Sequence, residues 1–170
     1  MRRKGSGASP GQQAWTTPGT YTFTVPAGVT EICAVAIGTG KDGSVGNWNS
    51  SVAGDGGAGA TLSYSNAISV TPGEDLTVLV GGYATNSAGE SSLKRSTTVL
   101  LAARAGGQTS GQANVGDVSF AGGAGAGNSG STSGGGGGAG GYSAVGTAGR
   151  TSGSSTAATG GAASGGGQGD

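Results

Sequence analysis

The chain has 170 residues, of which 42 are glycine. Glycine, alanine, serine and threonine together fill 108 positions, whereas Leu, Ile, Val and Phe fill only 23, too few for a conventional core of large side chains. Eight Lys and Arg balance eight Asp and Glu, and histidine is absent, which excludes an ordinary helical domain, a chain held open by self-repulsion and a strongly basic nucleic-acid binder.

The chain opens on Met1-Arg2-Arg3-Lys4 followed by GSGASP. That opening is polar, so no secretory signal is expected and synthesis in a cytosol is. Residues 1–14 read as a basic, polar arm. Residues 20–25 (TYTFTV) alternate, with Tyr21, Phe23 and Val25 on one face and threonines on the other, the pattern of a half-buried strand. Residues 31–37 (EICAVAI) put Cys33, Val35 and Ile37 on one face, with Ile32, Ala34 and Ala36 opposite. The apolar run 32–37 is far short of the ~20 residues that span a bilayer, so no membrane insertion is expected. Short strands are predicted at 60–65, pairing Leu62 with Tyr64, and at 67–70, pairing Ile68 with Val70. Two more are predicted at 76–80, aligning Leu76, Val78 and Val80, and at 97–103, with Val99 and Leu101 inward. Pro18-Gly19, Pro26-Ala27-Gly28 and Pro72-Gly73 supply the chemistry of type II turns. Lys94-Arg95 reads as a loop.

On this reading Tyr21, Phe23, Val35, Ile37, Leu62, Val78 and Val80 form the core. Cys33 is a buried, inert thiol, and Ala34 and Ala36 pack against glycine strands. As the single cysteine, Cys33 forms neither a disulfide framework nor a zinc site.

Composition changes near Ala105. The last 65 residues hold 25 of the 42 glycines, and their large apolar residues are Val115, Val118, Phe120, Tyr142 and Val145. Composition alone reads as a disordered low-complexity tail. An ordered tail has almost no side chains to hold it, so backbone must pair with backbone. Glycine does not recur at every third residue, which excludes a collagen triple helix and leaves strands of polyglycine II. Inter-strand bonds are expected among residues 134–141, and valine at Gly136 and Gly138 is expected to abolish the tail's folding. The expected fold class is all-β: a small antiparallel jelly-roll-like sandwich (15–105) followed by a polyglycine II helix bundle (106–170), packed together as one structural unit.

Residues 15–40, WTTPGTYTFTVPAGVTEICAVAIGTG, resemble the opening of the glycine-rich domain of bacteriophage tail-fibre and virion proteins. The likeness continues through GGAGATLSYSNAISVTPGEDLTVLVGG at 56–82 and into the glycine-rich remainder. The resemblance implies a small jelly-roll-like sheet merging with polyglycine II helices. It also implies a non-enzymatic virion surface or structural protein, such as a tail-fibre or tail-tip module contributing to host attachment. Capsid decoration or a head fibre is the alternative, and an ice-binding glycine-rich protein a more distant one. The chain departs from the family in the polar dilution of residues 38–43 (GTGKDG) and in the short stretch before Trp15. These departures favour a compact piece on a virion surface over a long fibre.

Among motifs, Gly54-Asp55-Gly56-Gly57-Ala58-Gly59 satisfies G-x-G-x-x-G, but a strand follows where a dinucleotide site needs a helix. Glu74 and Asp75 are adjacent and point to opposite faces of an extended strand, so they do not form an acid–base pair. Asp42, Asp55 and Asp117 each neighbour glycine and read as turn residues rather than a calcium cage. Neither catalytic residues nor cofactors are expected. Recognition falls to the segments that interrupt the glycine lattice. Their candidate partner-binding residues are Asn47, Trp48, Asn49, Tyr83, Asn86, Phe120, Tyr142 and Arg150, since Trp and Tyr give rigid surface and Asn adaptable hydrogen bonds. Arg2, Arg3 and Lys4 are the candidate virion attachment. The expected partners are other virion proteins, a host-surface glycan or protein, and further copies of the chain, with a trimer among the options. The expected location is the virion.

Overall fold

The computed structural model describes residues 11–44, 46, 53–82, 89–107, 114–129, 132–151 and 161. Its strands are β1 (Gly19–Thr24), β2 (Glu31–Ile37), β3 (Leu62–Ser69), β4 (Asp75–Val80), β5 (Ser91–Arg95), β6 (Thr98–Ala103) and β7 (Val118–Phe120). They form two antiparallel sheets, a first of order β1-β4-β5-β6 and a second of order β2-β3-β7. No helix occurs among the described residues.

β1 and β4 follow the alternation in their sequences. Tyr21 lies opposite Val78 and Phe23 opposite Leu76, while the threonines of β1 face solvent. Trp15 covers this pair of strands, its ring 6.4 Å from Tyr21 and edge-on to Phe23 at 5.8 Å. Two of the three expected turns form, while Gly19, expected in a turn after Pro18, instead opens β1 at a φ of 156°. Val29 N–H bonds the Pro26 carbonyl and Glu74 N–H that of Thr71, with Gly28 and Gly73 at φ of 83° and 82°. Only glycine adopts that region without strain.

β2 corrects the sequence reading. Its buried face is the small one, Ile32, Ala34 and Ala36, while Val35 and Ile37 are 48% and 55% exposed and the Cys33 thiol is exposed as well. Both faces of β2 are apolar, so alternation does not choose between them. The opposing sheet does. Leu76, Leu93 and Leu101 fill the space between the sheets, and small residues on the second sheet let the two approach. Ala34 and Ala36 therefore pack in this core, beside Val25, Ile68 and Val70.

β3 is one strand where two were expected. Ile32 pairs with Ile68 and Ala34 with Ser65, so β3 carries an extra residue between them, a bulge that changes which residues face inward. Ser63 and Ser65 face the sheet interior before the bulge, Ile68 and Val70 after it. The Asp117 carboxylate accepts the Asn66 N–H at 2.9 Å and so pins the bulge to the bend before β7. Lys94 and Arg95 are not a loop but the end of β5, held between β4 and β6. There Arg95 pairs twice with Glu74, Nε to Oε2 and Nη2 to Oε1, each at 2.8 Å.

Glycine-rich segments from both halves of the chain join a separate backbone network. Gly134, Gly137 and Gly140 donate to the carbonyls of Gly54, Gly57 and Ala60. Gly135, Gly138 and Gly141 donate to those of Arg150, Thr147 and Ala144. Ala126 and Gly123 donate to Gly135 and Gly138, while Gly56 and Gly59 donate to Ala126 and Gly123. Each series steps by three. Segments 54–60, 121–126 and 134–141 are thus each bonded to the other two, a closed triangle that a flat sheet does not make. Segment 144–150 closes a second triangle with 121–126 and 134–141, through Gly146 to Ala121 and Gly149 to Ala124. Such contact requires missing side chains. A Cβ at Gly134, Gly137 or Gly140 falls on the carbonyl oxygen of Ala126, Gly123 or Phe120. Gly136 is different, because its nearest neighbour is 3.6 Å away. A Cβ there meets only ordinary van der Waals contact, so the expected loss in the Gly136 and Gly138 double valine variant does not rest on Gly136.

Candidate partner-binding surfaces

The outer face of the second sheet is set by its register. Ile37, Leu62 and Phe120 lie side by side across three strands, and Val35, Tyr64 and Val118 form the next row. Tyr142 packs its ring 5.8 Å from that of Tyr64 and remains 49% exposed. Leu62, in the middle, is covered by its neighbours and is 3% exposed. The result is an apolar face with a buried centre and open flanks, and Cys33 extends it along β2. Contiguous apolar exposure of this kind marks an interaction surface more often than an isolated exposed residue does.

A concavity of about 650 Å³ opens where the glycine network meets the end of β6. Its polar wall includes Lys41, Asp42, Ser44, Asp55, Arg104 and Asn114, and residues 121–127 supply a backbone floor. Arg104 follows β6, and its N–H donates to Asn114 Oδ1 at 2.9 Å. One guanidinium nitrogen, Nη2, is buried and has no hydrogen-bond partner among the described residues. Asp55 Oδ1 accepts from both nitrogens of Asn128, at 2.7 Å each, and its N–H bonds Ser44 Oγ at 2.8 Å. The groove therefore offers fixed donors and acceptors of both signs, which suits a neutral, hydroxyl-rich ligand better than a highly charged one. Among the described residues no three Cys, Asp or Glu side chains converge as a metal site would require.

Two carboxylates have lowered pKa values for visible reasons. The guanidinium of Arg95, then the N–H of Thr71, hold the Glu74 carboxyl below its ordinary value. The Asn66 N–H and then the Ser65 hydroxyl do the same for Asp117. Both act as struts between strands. Asp75, next to Glu74, instead takes the Thr24 hydroxyl at 2.6 Å, so the two adjacent acids work apart.

Of the residues singled out in the sequence, Phe120 and Tyr142 come to the apolar face. Arg150 is exposed at the other end of segment 144–151, its carbonyl taken by Gly135. Asn47, Trp48, Asn49, Tyr83 and Asn86, and the arm residues Arg2, Arg3 and Lys4, lie outside the described residues. Sequence reasoning missed Val35 and Ile37 as surface residues, and it missed the groove, whose parts come from distant stretches of chain. The one available signal for the groove was the polar dilution at 41–44 (KDGS). Comparison of the chain with protein-family models, with curated proteins and with solved structures finds no match.

Proposed function

We propose that the chain is a non-enzymatic surface or structural protein of a bacteriophage virion, such as a tail-fibre or tail-tip module that contributes to host attachment. In this reading the two sheets are a small jelly-roll-like sandwich, and the glycine-rich segments continue it as a bundle of polyglycine II helices. The observation that carries the reading is the step of three in the backbone network, with closed triangles of segments. A polyglycine II helix has three residues per turn, so every third N–H points the same way and neighbours are met in several directions. The motifs at 15–40 and 56–82 resemble those of phage proteins built in this manner.

A scaffold of this kind has little chemical identity, so recognition belongs to the surfaces set upon it. The groove beside Arg104 is suited to a host-surface glycan, and the arm that carries Arg2, Arg3 and Lys4 to a neighbouring virion protein. The test is location. Antibodies against the chain should label intact particles assembled by the phage or prophage that encodes it, and the purified chain should slow their adsorption to host cells. Particles that lack the chain overturn the reading, and labelling of the head with adsorption unaffected moves it to capsid decoration or a head fibre. Deletion of residues 2–11 should leave a folded protein that no longer enters particles.

A further inference from the structure

Among the described residues, the second sheet leaves one long edge open. Gly38 N–H bonds the Thr61 carbonyl at one end of β2, and Val70 N–H bonds the Thr30 carbonyl at the other, each at 2.9 Å. In an antiparallel ladder alternate residues bond to the neighbouring strand, so even-numbered residues of β2 bond to β3. The bulge does not disturb this order, because its extra residue lies in β3. The N–H and C=O groups of Glu31, Cys33, Val35 and Ile37 therefore face away from β3, and no described strand pairs with them. At the next odd position the edge closes. Thr39 N–H donates to the Gly89 carbonyl, and its own carbonyl accepts from Gly106.

Edges of soluble sheets are ordinarily blunted by lysine, proline, bulges or short length. β2 has seven residues, no proline, and Glu31 as its one charged residue. β7, at the other edge of the same sheet, has three. The open groups also belong to the strand whose Val35 and Ile37 side chains are about half exposed. Among the described residues, backbone and side chains of β2 thus lack a partner along the same line.

We propose that this edge pairs with the same edge of a second copy, antiparallel about a two-fold axis at Ala34. That register sets Cys33 opposite Val35 and Glu31 opposite Ile37 of the second copy, and it uses every outward N–H and C=O of β2. Registers centred one residue away do not. An axis at Cys33 leaves Ile37 unpaired, and one at Val35 sets Glu31 against Thr39, whose groups are already bonded. The self-match is what selects a second copy over a foreign strand, and the chain's zero net charge opposes it with no repulsion. The two three-stranded sheets become one of six strands, in which the row Val35–Tyr64–Val118 meets Cys33 of the second copy and the row Ile37–Leu62–Phe120 meets its Glu31. Such an interface is isologous and closes at two copies.

The full-length chain should sediment at twice its 15.6 kDa mass, and Val35→Lys should halve that mass while leaving the thermal midpoint of the fold in place. The register has its own readout. Cys33 is the sole cysteine, and Val35→Cys places a second thiol opposite it across the axis, at the ~5.5 Å Cα separation that a disulfide tolerates. Oxidised Val35→Cys should run as a covalent dimer, whereas Ile37→Cys should not. A monomeric wild-type chain at high concentration, a trimer, a dimer indifferent to Val35→Lys, or equal cross-linking by both cysteine variants overturns the proposal.

Discussion

In the first sheet Leu76, Leu93 and Leu101 are 0%, 7% and 1% exposed, and burying each such side chain contributes about 2 kcal/mol. In segment 134–141 (GGGGGAGG) the only side chain is the methyl of Ala139. What holds that segment is a set of backbone bonds, each worth only about 1 kcal/mol net, on residues that lose the most freedom when ordered. The sheets are therefore robust to the loss of one backbone contact and sensitive to the loss of a large side chain. The glycine network has the opposite weakness. It tolerates no added atom where segments touch, and it is stable only when its bonds form together.

The sharpest way to break the comparison is one methyl-bearing residue in each region. Gly137→Val places its side chain on the Gly123 carbonyl and should cost more than about 3 kcal/mol, beyond ordinary overpacking, because backbone cannot yield as a side chain does. Thermal unfolding should show the loss, and Gly136→Val should show little, since its surroundings are open. Next in size is Leu101→Ala, which should cost about 3 kcal/mol through the cavity it leaves between the sheets. Ile37→Ala, on the exposed face, should stay within about 0.5 kcal/mol in denaturant titrations. Gly73→Ala, at a φ of 82°, should cost about 1 kcal/mol, since an L side chain strains there.

The smallest effect is electrostatic. The folded pKa of Glu74 is lowered by Arg95 and the Thr71 N–H, so its contribution is complete above the unfolded value of about 4.3 and is lost as pH falls through the folded value. Between neutral and acid pH the wild-type midpoint should therefore fall slightly further than that of Glu74→Gln. Equal slopes would remove the strut from the account.

Local chemistry was legible in the sequence and partner choice was not. β1 announces itself by strict alternation, β4 by the aligned Leu76, Val78 and Val80, and the turns at Gly28 and Gly73 by proline followed by glycine, because these signals depend on adjacent residues alone. β5 (SSLKR) has no apolar alternation and owes its strand state to β4 and β6 on either side. The face of β2 was misread because both faces are apolar and the deciding leucines lie in another sheet. The expected boundary near Ala105 followed composition, yet the hydrogen bonds of 134–141 reach back to 54–60, a pairing that nothing local encodes. For the site, Phe120 and Tyr142 stood out as large residues in a glycine-rich background. Arg104, Lys41 and Asp55 did not, since each is unremarkable until the fold assembles the groove.

Native-state hydrogen exchange across residues 134–141 tests the backbone network most directly. Among the described residues the bonded donors are Gly134, Gly135, Gly137, Gly138, Gly140 and Gly141, and the series skips Gly136 and Ala139. Amide protection should therefore run in pairs with every third residue fast, and the protected amides should exchange together if the network opens as a unit. Protection that alternates with a period of two, or fast exchange along the whole segment, would contradict the account.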